Sequence, residues 1–347
     1  MKKLSILIAV VTIVSNAAFA KIWRVNNNTG INADFTTLQA AHDGAASGDT
    51  VYLEGSPTSY GALTCTKKLN ITGTGYFLDQ NPDLQANAAI SKANQIIFNA
   101  GSAGSTLQGI MFSNHRIIIN VNDILIRRNY FGAPNGSNPI YNAQPNLISI
   151  YNNASNISIT QNFCVTIYAP GTSIGILIIN NLLAVGFEYG EDNTSTNCLN
   201  LSENCIAIVK NNIFRNGLVR IFNSNLSNNI MYVGALAGTG NLLSNNIGNV
   251  TQFGTASGNQ SNVSMASVFE LTGSFDGAYK LKAGSPAIAA GYGSTNQNPV
   301  NCGIFGGSTP YVLSGIPPIP SIYFFANQPV GSNSDPIDVQ IKVRSNN

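Results

Sequence analysis

One phrase recurs along the middle of the chain, and it restricts the fold more than any other feature. A strand-like apolar run is broken by Asn and resumed by two apolar residues. Residues 124–131 are one copy, around Asn129, and residues 157–164 the next, around Asn162. Further copies surround Asn180-Asn181, Asn211-Asn212, Asn228-Asn229 and Asn245-Asn246, and a weaker early one spans residues 107–112. Counted from Asn129 through Asn162, Asn181, Asn212, Asn229 and Asn246, the steps are 33, 19, 31, 17 and 17 residues. The short steps define a coil, and the long ones are that coil plus an insertion. One such unit cannot bury its apolar side, whereas stacked units can. The expectation is an all-β chain wound as a parallel β-helix, with two or three short strands per coil. Alternation places Ile157 and Ile159, Ile176 and Ile178, and Ile206 and Ile208 inside.

The repeated Asn (Asn129, Asn162, Asn181, Asn212, Asn229, Asn246) is read as a structural ladder. Each would sit at a bend with a left-handed backbone, its amide bonding to the copies above and below. Composition agrees: 48 Asn and 33 Gly supply residues that tolerate left-handed turns. Charged residues are only 9%, but 44% hydrophobic residues leave ample core.

The first twenty residues read as a removable export signal. Lys2 and Lys3 precede an apolar run over residues 4–14, and Ala18-Phe19-Ala20 is a small-x-small cleavage site. That run is shorter than the roughly 20 residues a membrane span needs. The chain is therefore expected to be secreted or displayed at a cell surface, with no transmembrane segment after cleavage. Removing Lys2 and Lys3 from 17 basic residues leaves 15, against 15 acidic ones. Such balance argues against nucleic acid as a partner and against a polybasic membrane-surface protein. Export permits disulfides, and Cys198 with Cys205 is the candidate pair. The five cysteines match no zinc spacing.

A stack needs blocked ends. Residues 34–41 read as a capped amphipathic helix burying Leu38 and Ala41, and residues 48–53 enter the first strand. Residues 33–53, followed by Leu69-Asn70-Ile71-Thr72-Gly73, resemble the N-terminal entry of the pectin-lyase-like superfamily of right-handed β-helix proteins. The resemblance covers residues 25–250 and implies a right-handed parallel β-helix. It fixes no chemistry, because that superfamily holds lyases, hydrolases, adhesins and structural proteins. Residues 281–291 resemble the SPAI-AG segment that follows the last coils of many secreted bacterial β-helix proteins. Residues 301–307 resemble its continuation, with Asn301 where Asp is common. With the leader and the Lys-poor, Asn-rich composition, this implies a Gram-negative bacterium. The Pro-rich residues 310–320 are a linker or a wrap along the stack, and residues 335–344 read as one or two edge strands for capping or surface attachment. The expected organisation is a signal over 1–20, a β-helix domain with its cap over 21–308, and a Pro-rich linker with a β tail over 309–347.

Chemistry would sit where the insertions leave the stack. Residues 132–146 and 184–204 follow the same position in coils two apart, a separation of roughly 10 Å, and residues 164–173 would floor a groove between them. The second insertion holds Glu188, Glu191, Asp192 and Glu203. Glu188, Glu191 and Asp192 could hold calcium, work as a general acid/base pair, or only solvate a loop. Lys210 and Arg215 are the cations that would face them in a catalytic reading. Arg127, Arg128 and Arg220 also lie on coils, with Asp123 a partner for the first two. Tyr141, Tyr151, Tyr168, Phe187 and Tyr189 cluster nearby, and Tyr141, Tyr168 and Tyr189 are candidates for contact with sugar rings. The Trp-x-Asp-His-like and Arg-x-Pro-x-x-Arg-like patterns of pectate lyases are missing, as are the polygalacturonase elements. His42 and His115 have no nucleophile at a recognisable spacing.

The leading expectation is a non-catalytic protein that binds polysaccharide or another cell-surface component on its loop-bearing side, with no cofactor beyond a possible calcium ion. The alternatives are a polysaccharide lyase or glycoside hydrolase working in the groove, or a purely structural, adhesive stack.

Overall fold

The structure is a computed structural model that describes residues 20–113, 115–132, 147–185, 195–328, 331 and 336–346. Its strands form three long sheets of ten, eight and eight parallel strands. From Asn70–Thr72 to Ala235–Ala237 each coil visits the first, second and third sheet in turn, as in Leu125–Arg127, Tyr130–Phe131 and Ile148–Ile150. The chain is an all-β parallel β-helix. No described helix is long and apolar enough to cross a membrane.

The shaft is filled by residues stacked in register. In the first sheet, Val51, Ile71, Leu107, Ile126, Ile159, Ile178, Val209 and Leu226 form one inward file, every member fully buried. One expectation fails here. Ile206 and Ile208 are 56% and 46% exposed, while Ala207 and Val209 point inward. Ile176 pairs with Ala207, so the strand lies one residue out of the expected phase. A period of two turns such a slip into a complete exchange of faces.

The ladder forms at the corner between the first and second sheets. The Oδ1 of Asn162 accepts the backbone N–H of Asn129 at 3.0 Å and its Nδ2 at 3.1 Å. Asn181 takes both bonds from Asn162 at 2.9 Å. The pattern runs on through Asn212, Asn229 and Asn246 and ends on Asn259. The left-handed backbone, however, falls one residue earlier: on Arg128, Gln161, Asn180, Asn211, Asn228 and Asn245. The corner thus divides its work. One residue bends the chain and points out; the next points in and bonds along the stack.

The second sheet is covered on both faces. In its short strands, Phe112, Phe131, Leu183, Phe214 and Met231 join the shaft, while Met111, Tyr130, Phe163, Leu182, Ile213, Ile230 and Ile247 form a separate outer cluster. Met265, Val268, Phe269, Tyr279, Ala287, Cys302, Ile304 and Tyr311 close over that cluster. Two-sided burial is why these strands read as continuous apolar runs.

From Ala290 onward this cover runs back along the stack as a strap, and the outward corner side chains hold it. Asn245 donates to Ala290 O, Asn211 to Asn301 O, and Asn180 to the carbonyls of Ile304 and Gly306. Gln161 donates to the carbonyls of Thr309 and Pro310, and Arg128 to Ile316 O. Of the two roles open to the Pro-rich segment, the wrap is the one observed, and it is continuous across position 308. Gly315 fits where the strap is closest: φ is +54° and a Cβ would collide with the Tyr76 ring. Nearby, the buried Asp276 accepts from Tyr311 Oη at 3.1 Å, Ser314 N at 2.6 Å and Asn81 Nδ2 at 3.2 Å, tying the strap to the loop after Tyr76.

At the front, the helix is Leu38–Gly44, capped by Thr37 Oγ1, which accepts from Ala40 N. It starts later than expected because Asp34 accepts from the backbone N–H of Arg24 instead of capping. Leu38 and Ala41 are buried. Beyond the strap, beside the early coils, Ser321–Asn327 and Val339–Arg344 form a separate antiparallel hairpin, where Ile322 O accepts from Ala86 N at 2.8 Å.

Candidate binding surface

Both insertions leave the corner between the second and third sheets. The first lies between Tyr130–Phe131 and Ile148–Ile150, the second between Leu182–Leu183 and Asn197–Leu201. One coil, Phe163–Val165 to Ile167–Ala169, passes between them, and its strands pair with those of both neighbouring coils. The second insertion is shorter than expected. Residues 197–201 are a strand of the third sheet, so Glu203 follows that strand and leaves the loop cluster.

Short strands give the third sheet a narrow outer face, with Tyr168, Asn200 and Arg220 each lying between two buried neighbours. Tyr168, Asn200 and Arg220 are in register across three coils, beside the insertion stems, while Ser149, next in the file, is fully buried. Tyr168 is half-buried and meets the Tyr151 ring edge-on, with centroids 6.2 Å apart. Arg220 is exposed, its guanidinium 5.5 Å from the Phe222 ring centroid. Two aromatic planes with polar tips, an amide and a guanidinium therefore share one face.

Glu188, Tyr189, Glu191 and Asp192 lie outside the described residues, as do Tyr141 and Phe187, so neither the calcium site nor the carboxylate pair has described geometry. Among the described residues, no three of His, Cys, Asp and Glu come together. The two cations named for the catalytic reading lie on different sheets. Lys210 ends a strand of the first sheet, in register with Ile179 and Ser227. Arg215 follows Ile213–Phe214 in the second sheet, buried, with its guanidinium 4.3 Å from the Tyr232 ring centroid.

Other expectations are corrected. Cys198 and Cys205 are free, as are the other cysteines. The extended strand Asn197–Leu201 separates them at about 3.3 Å per residue, beyond the Cα approach that a bridge requires. Cys198 lies against Leu218 O and Cys205 against Gly171 O. Asp123 accepts from Asn156 rather than pairing with an arginine. Arg127 donates to Gln108, and Arg128 spans Gln161 and the strap. Burial, then the Arg127 charge, lowers the Arg128 pKa. His42 is structural: its Nε2 accepts from Thr66 N at 3.1 Å, which leaves its proton on Nδ1, facing Asp43 at 2.8 Å.

Residues 164–173, the floor of the expected groove, are described throughout, and Asn200 and Arg220 were not singled out with Tyr168. The outward positions were legible, since each is flanked by apolar residues in Ile167-Tyr168-Ala169, Leu199-Asn200-Leu201 and Val219-Arg220-Ile221, but which of them lie side by side was not. Comparison of the chain with family models, with curated proteins and with solved structures finds no match.

Proposed function

We propose that this protein is an extracellular, non-catalytic binding module whose third-sheet face takes a polysaccharide beside the two insertions. The observation that carries the reading is the register of Tyr168, Asn200 and Arg220, with Tyr151 packed on Tyr168. Coils repeat at about 4.8 Å, so such a file offers a linear polymer a row of evenly spaced contacts. Aromatic faces suit the apolar sides of sugar rings, and amide and guanidinium groups suit hydroxyls or uronate carboxylates. The resemblance of residues 33–53 and 69–73 to the pectin-lyase-like superfamily supports a polysaccharide as the ligand. The leader over residues 1–20 supports export.

The test is binding of purified protein to neutral and acidic polysaccharides, with and without calcium, alongside assays for new reducing ends and unsaturated products. Binding without cleavage, weakened by Tyr168→Ala, is the expected result. Release of products would replace this reading with the lyase or hydrolase one. Absence of binding to every polymer would leave the adhesive stack.

A further inference from the structure

We infer that the C-terminal hairpin is a self-association surface: Val339–Arg344 pairs through its free edge with the same strand of a second copy, antiparallel about Gln340.

The hairpin needs a partner. Two strands alone are marginal in water, whereas three or more with an apolar face can be stable. Ile322, Phe325, Ile337, Val339, Ile341 and Val343 are all 45% exposed or more. They belong to one face, because Ile322 pairs with Val343, Phe325 with Ile341 and Asn327 with Val339. The outer edge of Ser321–Asn327 is engaged at its root, where Ile322 O accepts from Ala86 N at 2.8 Å. Among the described residues no strand pairs with the other edge of Val339–Arg344.

Backbone phase and charge point to the same occupant. Gln328 N donates to Asp338 O at 3.0 Å, so Asp338 and, by alternation, Gln340 and Lys342 direct their backbone groups into the hairpin. The N–H and C=O groups of Ile337, Val339, Ile341 and Val343 then face the open edge. An antiparallel partner centred on Gln340 sets Val339 against Ile341 of the other copy, and Ile337 against Val343. Both are pairs of open-edge residues, as the antiparallel ladder requires. The same register places Asp338 opposite Lys342, twice over by symmetry. The strand is therefore self-complementary in hydrogen bonding, shape and charge, which is the condition for a two-fold contact. The product is a four-stranded sheet joining two β-helices.

The experiment is sedimentation equilibrium of the full chain, with three variants. Wild type should be a dimer that weakens as salt rises. Lys342→Asp sets like charges opposite each other at two places and should raise the dissociation constant roughly tenfold. The double variant Asp338→Lys/Lys342→Asp restores complementarity and should restore the dimer. Ile341→Pro removes an N–H from the open edge, leaves those facing the hairpin, and should give monomer. A wild-type chain that stays monomeric would overturn the proposal, including one that binds only lipid vesicles or another protein. So would a dimer that all three variants leave unchanged. Polysaccharide binding by the third sheet is unaffected by either result.

Discussion

The guanidinium of Arg128 donates to the carbonyl oxygen of Ile316 at 2.7 Å, joining an early corner of the stack to the strap that returns from its far end. The same side chain donates to Gln161 Oε1, also at 2.7 Å. Gln161 in turn holds the strap further back, at the carbonyls of Thr309 and Pro310. The left-handed corner and the strap are thus one construction, built from side chains the turn itself points outward. Arg128→Gly keeps the left-handed backbone and removes the clamp. It should cost about 2 kcal/mol, since bonds to charged groups contribute roughly 1.5–3 kcal/mol each. Hydrogen exchange should speed up in residues 304–316 while the shaft stays protected.

Asn181 tests the ladder. It is fully buried, accepts two bonds from Asn162, and donates to Ile159 O and Asn212 Oδ1. Asn181→Ala leaves partners on both sides unsatisfied in a dry setting. A loss of about 3 kcal/mol or more is expected by denaturant unfolding.

Asp49 makes stability depend on pH. Burial opposes its charge, but donors from Lys21 N, Trp23 Nε1 and Ala46 N outweigh it and hold the carboxyl below its ordinary value. A lowered folded-state pKa contributes stability above the unfolded value of about 3.9, and that contribution is lost as pH falls through the folded one. Asp49→Asn should cost roughly 1–3 kcal/mol at neutral pH. The gap between the two proteins should narrow in acid, as thermal melts across pH would show.

The thiols should be inert in the native state. Burial pushes Cys198 and Cys302 up to about 12, and raises Cys65 and Cys164 as well. With all five buried, a thiol reagent should label the folded chain slowly and label five groups after denaturation. Fast labelling of the folded chain would contradict the packing around Cys198 and Cys302.

On the third-sheet face, Tyr168→Ala should weaken polysaccharide binding about tenfold, near the loss of 1.4 kcal/mol that one aromatic contact supplies. Folding should change little, because Tyr168 points out of the shaft. Isothermal calorimetry beside a melting curve separates the two effects.

The sequence by itself determined the coil. The steps of 33, 19, 31, 17 and 17 residues reappear as the separations between bonded ladder asparagines, because a stack allows only one place for a buried amide to find its own kind. Where local pattern is ambiguous, it failed. Residues 206–209 alternate equally well in either phase, and only pairing with Ile176 settled that Ala207 and Val209 turn inward. Glu203 and Cys198 look like loop residues until the strand Asn197–Leu201 pairs with its neighbour. The strap, the two-sided burial of the second sheet and the grouping of Tyr151, Tyr168, Asn200 and Arg220 were decided by tertiary structure alone. Each depends on contacts between residues distant along the chain, and no local period records which coil lies beside which.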